Sequence, residues 1–141
     1  MKLTEEVKRK IEEEYDSWFE NQYGSTTKEE IKKLGAVFTP PKVTIQMLEM
    51  LDNLDGNILD PCCGSGNLLA AAIIAGADPN NIYGNEYEEK FLILAQERLE
   101  KMGVPKWHLH KGDATKAECI RFDSFKPDYE GDKELKHVNL W

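Results

Sequence analysis

The sequence predicts a three-layer α/β/α fold built on a parallel sheet. Two observations support this prediction. Three short apolar runs, at residues 57–60, 81–85 and 107–111, are separated from one another by helical patterns. A glycine-rich turn follows the first run directly, and such a turn forms a ligand pocket at the carboxyl end of a strand. A helical segment comes first, so we expect an N-terminal helical extension over residues 1–34 and an α/β domain over residues 35–141.

Residues 4–23 carry the pattern of an amphipathic helix. Apolar residues recur at steps of three and four, while Glu and Lys fill the opposite face; the apolar positions are Val7, Ile11, Tyr15, Trp18 and Phe19. We expect this acidic helix to pack on the domain or to seat a protein partner. Residues 24–26 interrupt the pattern, and residues 27–30 are typical of a capping box that opens a short helix ending at Gly35.

The α/β alternation begins after an extended segment at residues 36–39. Pro40 and Pro41 start a helix whose apolar positions continue to Leu54, and a turn leads into the first strand. Helices at residues 67–75 and 88–101 then separate the first strand from the second and the second from the third. After Asp113 the pattern weakens, since residues 116–122 suggest one or two helical turns and no later apolar run matches the first three strands.

Length and charge limit the function. A chain of 141 residues supports one domain with a real core, and its 18 Lys and Arg against 26 Asp and Glu give a net charge of −8. A protein that binds DNA tightly by itself carries a basic stripe, which this sequence lacks. Cys62, Cys63 and Cys119 fit neither a disulfide framework nor zinc-ligand spacing. No signal peptide or membrane span is recognisable, so we expect a cytoplasmic protein with no membrane contact.

Three polar features mark a candidate nucleotide site. Gly64 and Gly66 permit positive φ and leave no Cβ between the backbone and a ligand, and Asp60 can accept hydrogen bonds from a cationic or hydroxylic group. Glu86, at the end of the second strand, is placed to bind both hydroxyls of a ribose, although an acid in the first turn of a helix would look the same. A dinucleotide site would have a third glycine where the chain has Leu69, which disfavours NAD or FAD.

Four motifs in this order resemble the cofactor site of the N6-adenine DNA methyltransferases: Phe-Thr-Pro-Pro at 38–41, Asp-Pro-Cys-Cys-Gly-Ser-Gly-Asn at 60–67, Glu86 after the second strand, and Gly-Asp-Ala-Thr at 112–115. The order matches the permutation in which the Phe-Thr-Pro segment precedes the glycine-rich loop. The resemblance covers residues 35–115. It implies a Rossmann-like fold, S-adenosyl-L-methionine (SAM) as cofactor, and methyl transfer to adenine N6 in DNA, as in restriction-modification systems.

The resemblance also implies roles for individual residues. It assigns the methionine end of SAM to Phe38, Thr39, Asp60, Cys62, Gly64 and Gly66, with Asp60 near the ammonium group. It assigns the adenosine end to Glu86, Tyr87, Asp113 and Ala114, with Tyr87 stacking on adenine and Asp113 accepting from its exocyclic amine. Simpler interpretations remain open: Phe38 as a core aromatic, Asp113 as a turn cap, and Cys62 and Cys63 as packing residues.

His108 and His110 would share one face of the third strand, as a hydrogen-bonded pair or as metal ligands. No third ligand lies at a sensible spacing, so we expect no metal.

The catalytic motif of the resembling family is missing. That motif is Asn or Asp followed by two prolines and an aromatic residue after strand four, and no such stretch occurs in the sequence. Residues 125–135 can be laid beside the region but have Asp-Lys-Glu where the motif belongs, and residues 139–141 keep an Asn and an aromatic without the prolines. No catalytic residue is therefore assigned. We expect a SAM-binding protein that needs a partner or a further segment for DNA recognition and methyl transfer. The alternatives are an inactive SAM-binding regulator or decoy, and a structural remnant with an empty pocket.

Overall fold

The computed structural model describes residues 1–21, 33, 38–116 and 138–140. Its strands are β1 (Asn57–Asp60), β2 (Ile82–Glu86), β3 (Leu109–Lys111) and β4 (Val138–Leu140), and they form one sheet in the order β3-β2-β1-β4. Every neighbouring pair is parallel. The loops that follow β1, β2 and β3 therefore leave the sheet at the same edge, which is where α/β proteins bind ligands.

The predicted parallel α/β arrangement is confirmed, with local corrections to the strands. The first strand has the predicted bounds, and the second lies one residue later and includes Glu86. The third begins at Leu109 because Pro105 introduces a 3₁₀ turn over Lys106–His108. The fourth strand, β4, was not predicted. It has three residues, too few for a period-two pattern, and it is defined by its pairing with β1.

The described part of the chain contains four α-helices: α1 (Glu5–Asn21), α2 (Pro41–Glu49), α3 (Asn67–Ile74) and α4 (Glu89–Lys101). A proline occupies the first position of α2, where its missing N–H needs no partner. This helix ends at Glu49, earlier than the predicted Leu54. None of these helices is long and apolar enough to cross a membrane.

The core lies between the sheet and the helices. Its fully buried side chains come from β1, β2 and three helices: Leu48, Ile58, Leu59, Leu69, Ile82 and Leu99. Helix α1 adds Ile11 to this core and places Trp18 against Phe91 and Phe38 in a second cluster. Of the two outcomes expected for the N-terminal helix, packing on the domain is therefore the one observed.

Several predictions concern residues outside the described ranges. These are the capping box at 27–30, the helix ending at Gly35, Cys119, the helical turns predicted at 116–122, of which only residue 116 is described, and the remnant of the catalytic region at 125–135.

Candidate cofactor-binding site

The loop between β1 and α3 uses its two glycines differently. Both adopt the predicted positive φ, +55° at Gly64 and +85° at Gly66. A Cβ on Gly66 would lie 3.0 Å from Leu99 Cδ1, whereas one on Gly64 would face Phe38, 3.9 Å from its Cδ1. Gly66 thus makes room for α4 beneath the loop, and Gly64 forms part of the surface that faces Phe38.

A cleft opens between this loop and the Phe38–Thr39 segment. Its cavity volume is about 60 Å³, and it is lined by Phe38, Thr39, Asp60, Cys62, Cys63, Gly64, Ser65, Asn67 and Leu68. That volume is well below the roughly 300–1,000 Å³ of pockets that enclose a whole ligand, so the cleft can receive only part of a nucleotide-sized molecule. Five of the ten predicted cofactor residues meet here, and all five belong to the set assigned to the methionine end.

Asp60 is the charged group most affected by the site. Its side chain is 4% exposed at the end of β1, and its carboxylate accepts a hydrogen bond from the Cys62 amide at 3.1 Å. Burial, with a smaller contribution from the charge of Glu86, raises the pKa of Asp60 to about 6 although the Cys62 amide opposes the shift. A buried carboxylate in a cleft is a good partner for an ammonium group, which would restore the solvation that burial removes.

Glu86 fastens the glycine loop to the end of β2. One carboxylate oxygen accepts from the Gly64 amide at 3.1 Å, and the other accepts from the Glu88 amide at 2.8 Å. Each carboxylate oxygen has two lone pairs, so each retains capacity for a ligand hydroxyl. Glu86 is therefore the last residue of β2 and not part of the first turn of α4, and its carboxylate remains able to bind a diol.

The other predicted adenosine residues lie outside the cleft lining. Tyr87 is 69% exposed. Asp113 accepts from the amide and the hydroxyl of Thr115, at 3.0 and 2.6 Å, and these hydrogen bonds lower the pKa of its carboxyl. Asp113 thus acts as a turn cap in this structure. It nevertheless lies beside β2, because the amide of Gly112 donates to the carbonyl of Glu86 at 3.1 Å.

The two adjacent cysteines have different environments. Cys63 is buried in the core, as the packing interpretation expects, but Cys62 is exposed and lines the cleft, which corrects that interpretation for this residue. Desolvation and the nearby carboxylates raise the pKa of Cys62, so its thiol stays protonated at neutral pH and is a poor nucleophile.

Asn85 is a structural part of the site that the sequence interpretation missed. It is fully buried, and its amide nitrogen donates to the carbonyls of Pro61 and Gly112, each at 3.0 Å. One side chain therefore connects the loop after β1 with the loop after β3. The available signal was a polar residue at the end of an otherwise apolar run in β2.

A second missed group lies behind the cleft wall. Arg98, 4% exposed on α4, pairs with Glu14 on α1 and donates to the carbonyl of Ser65 and to Asn67. Arg98 lies on the apolar face of α4, where Leu94 and Leu99 are also buried. An arginine within such a face was the signal that pointed to a buried partner.

The predicted histidine pair is wrong in its geometry. His108 belongs to the 3₁₀ turn before β3 and is buried. Its ring stacks on that of Tyr83, with ring centroids 4.2 Å apart, and its Nδ1 lies 2.9 Å from the carbonyl oxygen of Ile82. His110 lies in β3 itself. Among the described residues, no group of three or more His, Cys, Asp or Glu side chains is arranged to hold a metal ion.

Known proteins resemble this chain over part of its length. It is 34% identical over 84 residues to the Type II methyltransferase M.VspI of Vibrio sp. (strain 343), a match that covers 57% of this chain and 21% of that protein. It is 34% identical over 91 residues to the Type I restriction enzyme MjaVII methylase subunit of Methanocaldococcus jannaschii, covering 60% of this chain and 16% of that protein. The chain thus spans about a fifth of the length of these relatives.

A family model described as N-6 DNA methylase matches residues 13–138, from the middle of α1 to the start of β4. The match is wider than the 35–115 range of the motifs and confirms the family that they predicted. The chain belongs to the N-6 DNA methylase family.

Proposed function

We propose that this chain forms the SAM-binding part of a DNA adenine-N6 methyltransferase. Base recognition and methyl transfer would then require residues beyond these 141, on a partner or on a further segment. The observation that carries the proposal is the cleft at the carboxyl edge of the sheet. There the Phe38–Thr39 segment faces Asp60 and Gly64, and Glu86 is hydrogen bonded to the same loop.

The donors and acceptors at the cleft fit the methionine end of SAM. Asp60 provides a buried carboxylate for the ammonium group, and the Thr39 segment and the glycine loop provide main-chain groups close to the ligand's carboxylate. Phe38 contributes an aromatic wall, held edge-on against Phe91 with ring centroids 5.4 Å apart. When bound, SAM supplies an electrophilic methyl group on its sulfonium.

The adenosine end would extend over the more open rim of the sheet. Glu86 is assigned to the ribose hydroxyls, Tyr87 to the face of adenine, and Asp113 with Ala114 to its edge. For Asp113 this assignment requires the carboxylate to exchange its bonds to Thr115 for a bond to the adenine amine, or to share them. The cleft itself has a volume of about 60 Å³, so it would receive at most the amino-acid part of the cofactor.

Strand order supports the complete three-layer methyltransferase fold as part of the proposal. β4 lies beside β1, at the position of the strand that precedes the catalytic motif in the resembling family. The sequence has no Asn-Pro-Pro or Asp-Pro-Pro stretch, so the groups that hold the target adenine are assigned elsewhere. The relative named as a methylase subunit of a Type I restriction enzyme makes assembly with other subunits a reasonable source for them.

Ligand-induced stabilisation tests the SAM-binding half of this proposal. A ligand present at 100 times its dissociation constant stabilises the folded state by about 2.7 kcal/mol, so SAM should raise the melting temperature by several degrees. ATP, which shares the adenosine but lacks the methionine, serves as the control. An unchanged melting temperature at millimolar SAM would reject the proposal.

Methyl transfer is tested separately with tritium-labelled SAM and an adenine-containing duplex. We expect no incorporation by the isolated chain and incorporation when the missing subunit or segment is supplied. Incorporation by the isolated chain would contradict the assignment of the catalytic groups to other residues. Failure with every added subunit, despite SAM binding, would favour the non-catalytic regulator.

A further inference from the structure

Arg98 forms a buried polar cluster that joins the N-terminal helix to the candidate site. Its Nε and Nη2 atoms donate to the two carboxylate oxygens of Glu14, at 2.8 and 2.5 Å. Its Nη1 donates to the carbonyl of Ser65, at 3.3 Å, and to Oδ1 of Asn67. The ring of Trp18 covers the guanidinium, with Cζ 4.6 Å from the ring centroid. One side chain thus links α1, α4 and the start of α3.

The cluster continues from Arg98 to the cleft wall. Asn67 accepts from the Ser65 hydroxyl at 3.3 Å and donates through Nδ2 to the carbonyl of Thr39 at 3.0 Å. Ser65, Asn67 and Thr39 all line the cleft. Ser65 and Asn67 are 1% and 7% exposed, so solvent cannot readily replace these hydrogen bonds. The orientation of this wall therefore depends on Arg98.

Stability alone is a weak reason for this arrangement. Arg98 lies between buried apolar residues of α4, where a leucine would bury its surface without the cost of removing a charge from water. A guanidinium offers what leucine lacks, namely donors in a rigid planar fork that fix the direction of several acceptors at once. The acceptors that it fixes belong to the cleft.

We propose that Glu14 and Arg98 are positioning residues for the methionine end of the cofactor site. Glu14 orients the guanidinium, and Arg98 then holds Ser65, Asn67 and, through Asn67, the Thr39 carbonyl in the arrangement that receives the amino-acid part of SAM. This inference rests on the proposed SAM site. By this inference α1, which precedes all four cofactor motifs in the sequence, contributes to that site through Glu14.

The test compares SAM with methylthioadenosine, which differs from it at the end in question and in lacking the positive charge on sulfur. Methylthioadenosine keeps the adenosine, the sulfur and the methyl group of SAM but lacks its amino-acid end. Both ligands are titrated calorimetrically into the wild-type chain and into the Glu14→Gln and Arg98→Lys variants. The matched control is Glu13→Gln, which removes a carboxylate paired with Arg9 at 2.6 Å on the exposed face of the same helix.

We expect Glu14→Gln and Arg98→Lys to weaken SAM binding by about tenfold or more, because charge-assisted hydrogen bonds that set the cleft wall are lost. The affinity for methylthioadenosine should change by less than about twofold. Glu13→Gln should change neither. A loss of overall stability would reduce the binding of both ligands together, so the ratio of the two affinities isolates positioning. Circular dichroism verifies that each variant is folded at the titration temperature.

The outcomes separate this inference from the proposed function. Wild-type binding of SAM, with equal losses for both ligands in the variants or no loss at all, would overturn the positioning role and leave the SAM site intact. Absence of binding to the wild-type chain would overturn the SAM site and the inference with it. If Glu14→Gln fails to fold, Glu14→Asp preserves the buried charge and allows the same comparison beside Arg98→Lys.

Discussion

At the scale of residues, two carboxylates meet the same loop in different environments. Asp60 is almost completely buried and accepts one amide, whereas Glu86 is half-buried and accepts two. Burial raises the pKa of Asp60 to about 6. Asp60 is therefore the group whose charge a bound ammonium would stabilise most, and Glu86 is the group whose geometry is already fixed by the protein.

The raised pKa of Asp60 predicts that SAM binding depends on pH. Below about pH 6 the carboxyl is protonated and cannot attract the ammonium, so affinity should fall as the pH decreases from 7 to 5. Binding should also release protons near pH 6, because the ammonium lowers the carboxyl pKa. Calorimetry in two buffers of different ionisation enthalpy measures both effects. A wild-type affinity as flat with pH as that of Asp60→Asn would disprove the interaction.

The same shift predicts that Asp60 reduces the stability of the free protein at neutral pH. Its pKa rises from 3.8 in the unfolded chain to about 6 in the fold, so its stability contribution is complete below pH 3.8 and is lost as the pH rises through 6. Asp60→Asn should therefore increase the free energy of unfolding at pH 7.5 by up to about 3 kcal/mol, and much less at pH 4. Urea denaturation at both pH values tests this, and an unstabilised variant at pH 7.5 would contradict it.

Glu86→Ala tests the assignment of the ribose. The substitution removes a charged acceptor, so SAM affinity should fall by about 1.5–3 kcal/mol in calorimetric titrations. Glu89→Ala is the matched control, since its side chain is 66% exposed and lies in the first turn of the same helix. If Glu86→Ala and Glu89→Ala bind SAM equally well, the ribose must be held by another residue.

Sequence patterns identified candidate residues in local motifs and missed the buried residues that connect distant parts of the fold. Asp60, Gly64 and Glu86 were proposed as site residues because each lies at or near a strand end. Arg98 was not, since Glu14, its ionic partner, is 84 residues away in the chain. A buried arginine acquires its meaning only when the fold brings its acceptors together.

At the scale of elements, the glycine loop can lie close to β2 because Gly84 has no side chain. A Cβ there would lie 3.0 Å from both Leu109 Cδ2 and Leu69 Cδ1, and 3.1 Å from Cys63 Sγ. The Cys63 amide donates to the carbonyl of Asn85 at 2.9 Å, which fixes the approach of the loop. The glycine thus lets β3, α3 and the loop meet at one point in the core.

Gly84→Ala should destabilise the protein by about 1–3 kcal/mol, the usual cost of overpacking a core. Gly76→Ala provides the comparison, because Gly76 has a φ of +116° but no atom within 4 Å of its added Cβ, so any cost there is backbone strain alone. Chemical denaturation of both variants gives the two values. A neutral Gly84→Ala would show that the loop and β3 move apart easily.

Element bounds were predictable where a glycine, a proline or a polar residue ends an apolar run. β1 was placed correctly because apolar residues end abruptly at Asp60 and the glycine loop follows. β4 was missed because three residues carry no periodic signal, and its pairing with β1 depends on the rest of the sheet. The prediction placed the third strand two residues too early because Pro105 introduces a 3₁₀ turn before it.

At the scale of the whole molecule, the charge and the comparisons are consistent with the proposed need for other segments or subunits. The sequence carries a net charge of −8 and no basic stripe for phosphates, and its matched segments cover 21% and 16% of the two relatives. Helix α1 shares the core with the sheet and contacts the cleft wall through Arg98, so it packs directly on the proposed cofactor site. We propose that the chain by itself provides a cleft for the amino-acid end of SAM.

The most direct test of that claim is the structure of the chain crystallised with S-adenosylhomocysteine, the demethylated product of SAM. We predict that the ligand's amino-acid end lies in the cleft beside Asp60 and Thr39, and that both ribose hydroxyls lie within hydrogen-bonding distance of the Glu86 carboxylate. A ligand bound elsewhere on the surface, or a cleft that stays empty at saturating ligand, would contradict the account.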